Sequence, residues 1–328
     1  MNAARNGGPP ATVDIAVNQQ TFDTLGPQVC ETLVESGRTV HFIDEGDSDW
    51  QPLLFFGGAG TTVRAFRLFE FARSLRQQLH IRVISVERNG LGQTPFDPQV
   101  GFAEYTDDVW SLLDNLNVEQ TSVVAISGGG PYAAHIVSAQ PERIRSLHLA
   151  CAYSEGLDAA AVAVHASAEQ IAADPVSWWK FPQESAVHRI PGFDDSVIEE
   201  ATRGVFALGG GNPPDGLRQA LTLYRDAPLP SLSTATAPAF LYWGSADSTV
   251  PVTHLDRWRA AIPNVAVERI YPGEGHDVQY RHWDQILTDV AYLGSRTVVA
   301  VGRRTVLAVA ERAQELLSCG GGLGLAAW

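Results

Sequence analysis

Polar and apolar residues alternate with a period of two over Glu31–Glu35 and again over Thr39–Asp44, with Ser36-Gly37-Arg38 between them. That pattern predicts a β-hairpin with one face buried. Further on the pattern changes to short, unbroken apolar runs at Pro52–Phe56, Ile81–Val86, Ser122–Ile126 and Ile144–Ala150. Runs of this length, rich in β-branched residues, suit strands covered on both faces. Stretches with helical spacing separate them. Val63–Leu79 carries Phe66, Phe69, Phe71 and Leu75; Tyr105–Leu116 is amphipathic; Gly128–Gln140 carries Tyr132, Ala133, Ile136, Val137 and Ala139. Strand and helix in alternation predict an α/β fold, a mostly parallel central sheet flanked by helices.

The alternation breaks from about Ser154 to Leu229, where the chain is rich in alanine and aromatics, holds several prolines and shows no clear strand. Helices are expected near Ala159–Ala173, Ser196–Phe206 and Leu217–Tyr224, as an insertion above the sheet. Strand pattern returns at Ala239–Trp243 and Ala266–Tyr271, with helices at Val252–Ala261 and Tyr280–Leu293. The chain ends with two β-branched runs, Arg296–Val301 and Arg304–Val309, around Gly302-Arg303, then a helical stretch Glu311–Ser318 stopped by Gly320. This predicts a hairpin-plus-helix appendix that covers a sheet edge or a partner. Residues 1–20 are polar and carry Gly and Pro, and are expected to form a loose arm. The expected organisation is an N-terminal arm (1–29), a core (30–153 and 236–294), a helical insertion (154–235) and an appendix (295–328).

Composition narrows the function. A chain of 328 residues with 45% hydrophobic content accommodates one large domain with an insertion. A formal charge of −14 argues against nucleic acid and against an anionic membrane surface as partners. The three cysteines, Cys30, Cys151 and Cys319, are far apart and odd in number, which fits neither a disulfide framework nor a zinc site. The first residues lack the apolar core of a signal peptide, and no apolar run approaches the ~18 residues that span a bilayer. A reducing, cytoplasmic location is expected.

The candidate chemistry centres on Ser127. The strand Ser122–Ile126 passes straight into the helix beginning at Gly128, with no residues spare for a loop. A serine at such a turn is held in a strained conformation and needs small neighbours, which Gly128, Gly129 and Gly130 supply. Its Oγ would stand at a helix N-terminus, where unpaired N–H groups face incoming negative charge. The absence of a lysine nearby argues against a phosphate-binding loop.

This stretch, Ala125-Ile126-Ser127-Gly128-Gly129, resembles the nucleophile elbow of the α/β-hydrolases, usually G-x-S-x-G, with alanine in place of the first glycine. Two further segments carry the same resemblance. Gly244-Ser245-Ala246-Asp247-Ser248-Thr249-Val250-Pro251 is similar to the acid loop, G-x-x-D-x-x-V-P. Gly273-Glu274-Gly275-His276 is similar to the G-x-G-H loop that holds the base. The chain order Ser, Asp, His is that of the family. The resemblance implies an α/β-hydrolase fold with a helical cap over the pocket, and a triad of Ser127, Asp247 and His276. Glu155 is the fallback acid.

The oxyanion donors implied are the N–H groups of Gly128 and Gly58. Phe56-Gly57-Gly58-Ala59-Gly60 resembles the family's H-G-x-P-G segment, with Phe56 where histidine is usual, so a side chain that braces this loop is lost. Glu87-Arg88-Asn89-Gly90-Leu91-Gly92-Gln93-Thr94 resembles a structural turn, D-x-P-G-x-G-x-S. Phe56, Trp178 and Trp179 are candidates for lining the substrate pocket, the tryptophans equally for the cap's own core. Cys151 reads as a small buried residue.

The activity implied is hydrolysis of an ester, thioester or amide of a small-molecule acyl substrate, as in serine esterases, without cofactor or metal. Two alternatives stay open: a non-hydrolytic enzyme (lyase, cyclase or cofactor-free oxygenase) that uses His276 as base, and a silent binding protein. Acyl group and oligomeric state, a homodimer among the options, are open as well.

Overall fold

The computed structural model describes residues 13–20, 26–154, 196 and 213–325. A short strand β1 (Ile15–Ala16) belongs to a second sheet. The main sheet is built from β2 (Val29–Leu33), β3 (Thr39–Glu45), β4 (Gln51–Phe56), β5 (Ile81–Val86), β6 (Thr121–Ile126), β7 (Ile144–Ala150), β8 (Ala239–Gly244) and β9 (Val265–Tyr271). Their order in space is β2-β3-β5-β4-β6-β7-β8-β9. The hairpin β2–β3 is antiparallel and β3 lies antiparallel to β5, while every pair from β5 to β9 is parallel. The unbroken apolar runs occupy the centre: every residue of β5, β6 and β8 is buried.

Helices cover both faces. They are α1 (Arg73–Gln78), α2 (Phe102–Asn115), α3 (Gly130–Ala139), α4 (Pro213–Asp226), α5 (Val252–Ala261), α6 (Val278–Arg281) and α7 (Trp283–Tyr292). The expected helix Val63–Leu79 is instead a 3₁₀ stretch, Val63–Ala72, followed by α1. Eight of that stretch's ten residues are buried, among them Val63, Phe66, Phe69 and Ala72 at every third position, the positions a 3₁₀ helix stacks on one line. Phe66 and Phe69 pack there against Phe55 and Trp283.

Polar groups inside the sheet are joined in a row. Gln51 donates to Ser122, Ser122 meets Ser146, and Ser146 meets the His148 ring. His148 contacts the Tyr242 hydroxyl, which donates to Asp289, and Arg269 grips the same carboxylate with two bonds. Burial, with the charges of Arg145 and Arg269, holds His148 down to about 3, so the ring is neutral. Satisfied in this way, the row is tolerated in a dry interior.

The C-terminal runs form the expected hairpin, β10 (Thr297–Val301) and β11 (Arg304–Ala308), followed by α8 (Ala310–Ser318) and β12 (Gly322–Leu323). The hairpin does not extend an edge of the main sheet. It lies in a separate antiparallel sheet, β1-β11-β10-β12. This sheet is tied to α7: Val298 N–H donates to Gln285, Gln285 donates to the Arg296 carbonyl, and Leu325 N–H donates to Asp284. The arm is therefore not loose throughout, because Ile15 and Ala16 pair with Leu307 and Val306. Of the insertion, the structure describes α4, which contains the expected Leu217–Tyr224 helix. The other two expected helices lie outside the described residues, apart from Ser196. Among the described residues, no helix is long and apolar enough to cross a membrane.

Just past β5, Glu87 is buried and accepts the Val63 N–H at 3.1 Å. Burial pushes its carboxyl up to about 8, against the pull of the neighbouring Arg88 charge. A carboxyl raised on folding binds more protons folded than unfolded, so its contribution falls as pH rises from about 4.5 to about 8. Denaturant midpoints measured at pH 5 and pH 8 should therefore fall more in the wild type than in Glu87→Gln. Equal falls in both proteins would contradict this.

Candidate active site

Strand order reverses between β4 and β6: β5 lies to one side of β4, and β6 through β9 follow on the other. A crevice opens outside the carboxyl ends of strands at such a point, and ligands bind there in open α/β sheets. β4 runs out into Gly57–Gly60 and β6 into Ser127, and the two strand ends are in register, Phe56 beside Ala125.

Ser127 takes the strain the sequence implies. Its φ is +46°, in the left-handed region that a side chain disfavours. The chain turns there from β6 through a 3₁₀ turn, Ser127–Gly129, into α3. The small neighbours are required by close approach. A Cβ on Gly128 would lie 2.7 Å from the Ala59 nitrogen, and one on Gly130 would run into the Tyr153 carbonyl.

The loops after β8 and β9 are stitched together. Ser245 N–H donates to the Tyr271 carbonyl, Ala246 N–H to the Glu274 carbonyl, and Gly273 N–H to the Ser245 hydroxyl. This holds Asp247 and His276 as one unit at the mouth of the crevice. Asp247 Oδ2 meets His276 Nδ1 at 2.9 Å, and His276 Nε2 meets Ser127 Oγ at 3.1 Å. The other carboxylate oxygen, Oδ1, accepts the N–H groups of Thr249 at 2.9 Å and Val250 at 2.8 Å.

Burial alone would raise the Asp247 pKa. The His276 hydrogen bond and charge, the Val250 N–H and the Cys151 thiol outweigh it and hold the carboxyl below its usual range. An ionised carboxylate can only accept, so Nδ1 carries the imidazole proton. Nε2 is then the acceptor, and the Ser127 hydroxyl donates to it. Such a chain can draw a proton off Oγ as it attacks an electrophile and return it to a leaving group.

The loop after β4 completes the crevice. Gly58 faces Ser127: a Cβ there would stand 3.6 Å from Ser127 Cβ and 3.9 Å from Oγ, ordinary contact distances. Phe56 does not line a pocket as expected. It is 2% exposed and packs edge-on to Tyr105, because the last inward position of a central strand belongs to the core. Trp178, Trp179 and Glu155 lie outside the described residues.

Two neighbours touch the site beyond the roles their sequence suggests, a small buried residue for Cys151 and part of a structural turn for Arg88. Cys151, at the end of β7 with φ +46°, points its thiol at the Asp247 carboxylate. Its Sγ, an Asp247 oxygen and a His276 nitrogen lie within 4.8 Å of one another. Burial, then the Asp247 charge, pushes the thiol well above its usual range. It is thus a hydrogen-bond donor to the carboxylate there. The second neighbour is Arg88. A strand-end position flags Cys151 in sequence; nothing local flags Arg88.

Comparison with known proteins agrees with this architecture. Residues 51–282 match the family model described as alpha/beta hydrolase fold. A dihydrolipoyllysine-residue acetyltransferase component of an acetoin cleaving system from Pseudomonas putida is 24% identical over 275 residues, 79% of this chain and 67% of that protein. A 2-hydroxymuconate semialdehyde hydrolase from Pseudomonas sp. (strain CF600) is 31% identical over 149 residues, 40% of this chain and about half (49%) of that protein. Among solved structures, an alpha/beta hydrolase fold protein from Nakamurella multipartita superimposes with a TM-score of 0.61 at 21% identity, covering 81% of this chain and 98% of that one. With the strand order, the turn at Ser127 and a match over most of its length, the chain belongs to the alpha/beta hydrolase fold family.

Proposed function

We propose that the protein is a serine hydrolase that cleaves a carboxylic ester, thioester or amide of a small organic substrate through an acyl-enzyme on Ser127. The observation that carries this reading is the unbroken hydrogen-bonded chain from Ser127 Oγ through His276 to Asp247. Oγ attacks the carbonyl carbon while its proton passes to His276 Nε2. Asp247 keeps the ring in the required tautomer and stabilises the imidazolium. The oxyanion that forms is held by the N–H groups of Gly128 and Gly58. His276 returns the proton to the departing alcohol, thiol or amine as its bond to carbon breaks. Water, deprotonated by the same nitrogen, then attacks the acyl-enzyme and releases the acid. The name of the semialdehyde hydrolase among the relatives is in keeping with hydrolysis.

The test is a fluorophosphonate probe, which bonds its phosphorus to an activated serine and releases fluoride. Peptide mass spectrometry should place the label on Ser127 alone. The label should be absent from Ser127→Ala and much reduced in His276→Ala. Folded wild-type protein that takes no label would rule out the acyl-enzyme and turn attention to chemistry that uses His276 as a base without it.

A further inference from the structure

We propose that Arg88 is the positioning residue of the oxyanion loop: by holding the Gly58 carbonyl it fixes Gly58, so that this residue's own N–H, in the adjoining peptide with Gly57, is presented to the reacting carbonyl. This rests on the acyl-transfer reading of Ser127. The loop Phe56-Gly57-Gly58-Ala59-Gly60 has no polar side chain, so nothing within it can pin its own backbone. Phe56 is turned into the core, and the space around Gly58 is not tight enough to fix it sterically. Its order must come from outside.

It comes through one carbonyl. Gly58 O accepts Arg88 Nη2 at 2.5 Å, Thr61 Oγ1 at 2.8 Å and Thr61 N–H at 3.3 Å. A carbonyl has two lone pairs, so three donors saturate it and leave its peptide plane little freedom. The same Nη2 also reaches the Thr61 carbonyl at 2.7 Å and the Thr61 hydroxyl at 3.1 Å, so it ties both ends of the turn together.

Arg88 is itself immobilised. It is 4% exposed, its Nη1 donates to the Tyr224 hydroxyl on α4 at 3.3 Å, and its guanidinium carbon lies 5.2 Å from the centre of the Tyr132 ring. Each acceptor around it is neutral, so the cation is held by hydrogen bonds and an aromatic face. A planar fork can reach several acceptors at once in a fixed geometry, which a lysine cannot reproduce. A donor misplaced by about 1 Å costs ~10² in rate. That places the effect of Arg88 in the chemical step rather than in substrate binding.

The experiment measures hydrolysis of p-nitrophenyl acetate by wild type, Arg88→Lys, Arg88→Ala and Thr61→Val, with folding checked by circular dichroism and thermal melting. Arg88→Ala should lose ~10²-fold in kcat with KM within about threefold, and millimolar guanidinium chloride should restore part of the loss by refilling the site. Arg88→Lys should fall between the two. Thr61→Val, which removes a hydroxyl from the same carbonyl at nearly constant shape, should lose about tenfold in kcat. It decides the matter if the arginine variants do not fold. The proposal is overturned if folded Arg88→Ala keeps kcat within threefold of wild type, if the loss falls wholly in KM, or if guanidinium gives no recovery. Should the arginine variants not fold, an unchanged kcat in Thr61→Val overturns it. Wild-type protein that neither turns over the ester nor takes fluorophosphonate removes the acyl-transfer reading, and this proposal with it. A normal wild type beside unaffected variants removes this proposal alone.

Discussion

Asp247→Asn should lower kcat for ester hydrolysis by ~10⁴-fold while leaving the fold and KM nearly unchanged. The size follows from how the side chain is held. Oδ1 accepts two backbone N–H groups, from Thr249 and Val250, and Oδ2 accepts His276 Nδ1. An asparagine must keep its oxygen where the two N–H groups point, since turning its NH₂ toward them would set donors against donors. The NH₂ is thereby aimed at His276 Nδ1. That nitrogen must then accept, and the ring proton moves to Nε2, the atom that faces Ser127. A protonated Nε2 cannot take the hydroxyl proton, so the nucleophile stays unactivated although every atom keeps its place. Steady-state kinetics with a p-nitrophenyl ester, beside a crystal structure of the variant, check this. A loss under tenfold in a variant with unaltered geometry would show that tautomer control is not the role of Asp247.

The two-sided grip on the carboxylate is only partly legible in the sequence. The strand runs, the strand-to-helix turn at Ser127 and the glycine-lined loops around Asp247 and His276 are local patterns. Each has a local physical cause, and the structure brings the three side chains into one hydrogen-bonded chain. What was not legible depends on contacts between distant segments. Arg88 sits in a turn that reads as structural, and its reach to Gly58 and to Tyr224 follows from the packing of β5 beside β4 and of α4 above both. The sequence reading puts Phe56 at the pocket, but the pleat of a central strand turns it inward. The arm looked unstructured because two residues, Ile15 and Ala16, carry no strand signal until β11 offers them a partner. Val63–Ala72 looked α-helical because period three and period 3.6 are nearly indistinguishable over so short a run.

The backbone at Ser127 offers a second large effect, a loss of activity shared by two variants that differ in stability. Ser127→Ala and Ser127→Gly should both abolish acylation, with turnover falling by up to ~10⁶-fold, because neither can form the covalent intermediate. The two should differ in stability. Both lose the hydrogen bond to His276, so that term cancels between them. Alanine keeps a Cβ at φ +46° and with it a left-handed penalty of about 1–2 kcal/mol, which glycine does not bear. Glycine in turn forfeits about 0.5–1 kcal/mol through its freer unfolded chain. The balance favours Ser127→Gly over Ser127→Ala by roughly 0.5–1 kcal/mol, readable in paired denaturant titrations. A Ser127→Gly no more stable than Ser127→Ala would mean that the turn stores no strain. The kinetic half separates the chemistries as well. An enzyme that used His276 only as a base would keep turning over its substrate in both variants, because His276 and Asp247 are untouched. Retained turnover in a folded Ser127→Gly would therefore exclude the acyl-enzyme, whereas its loss, with fluorophosphonate on wild-type Ser127, makes the strained serine the nucleophile.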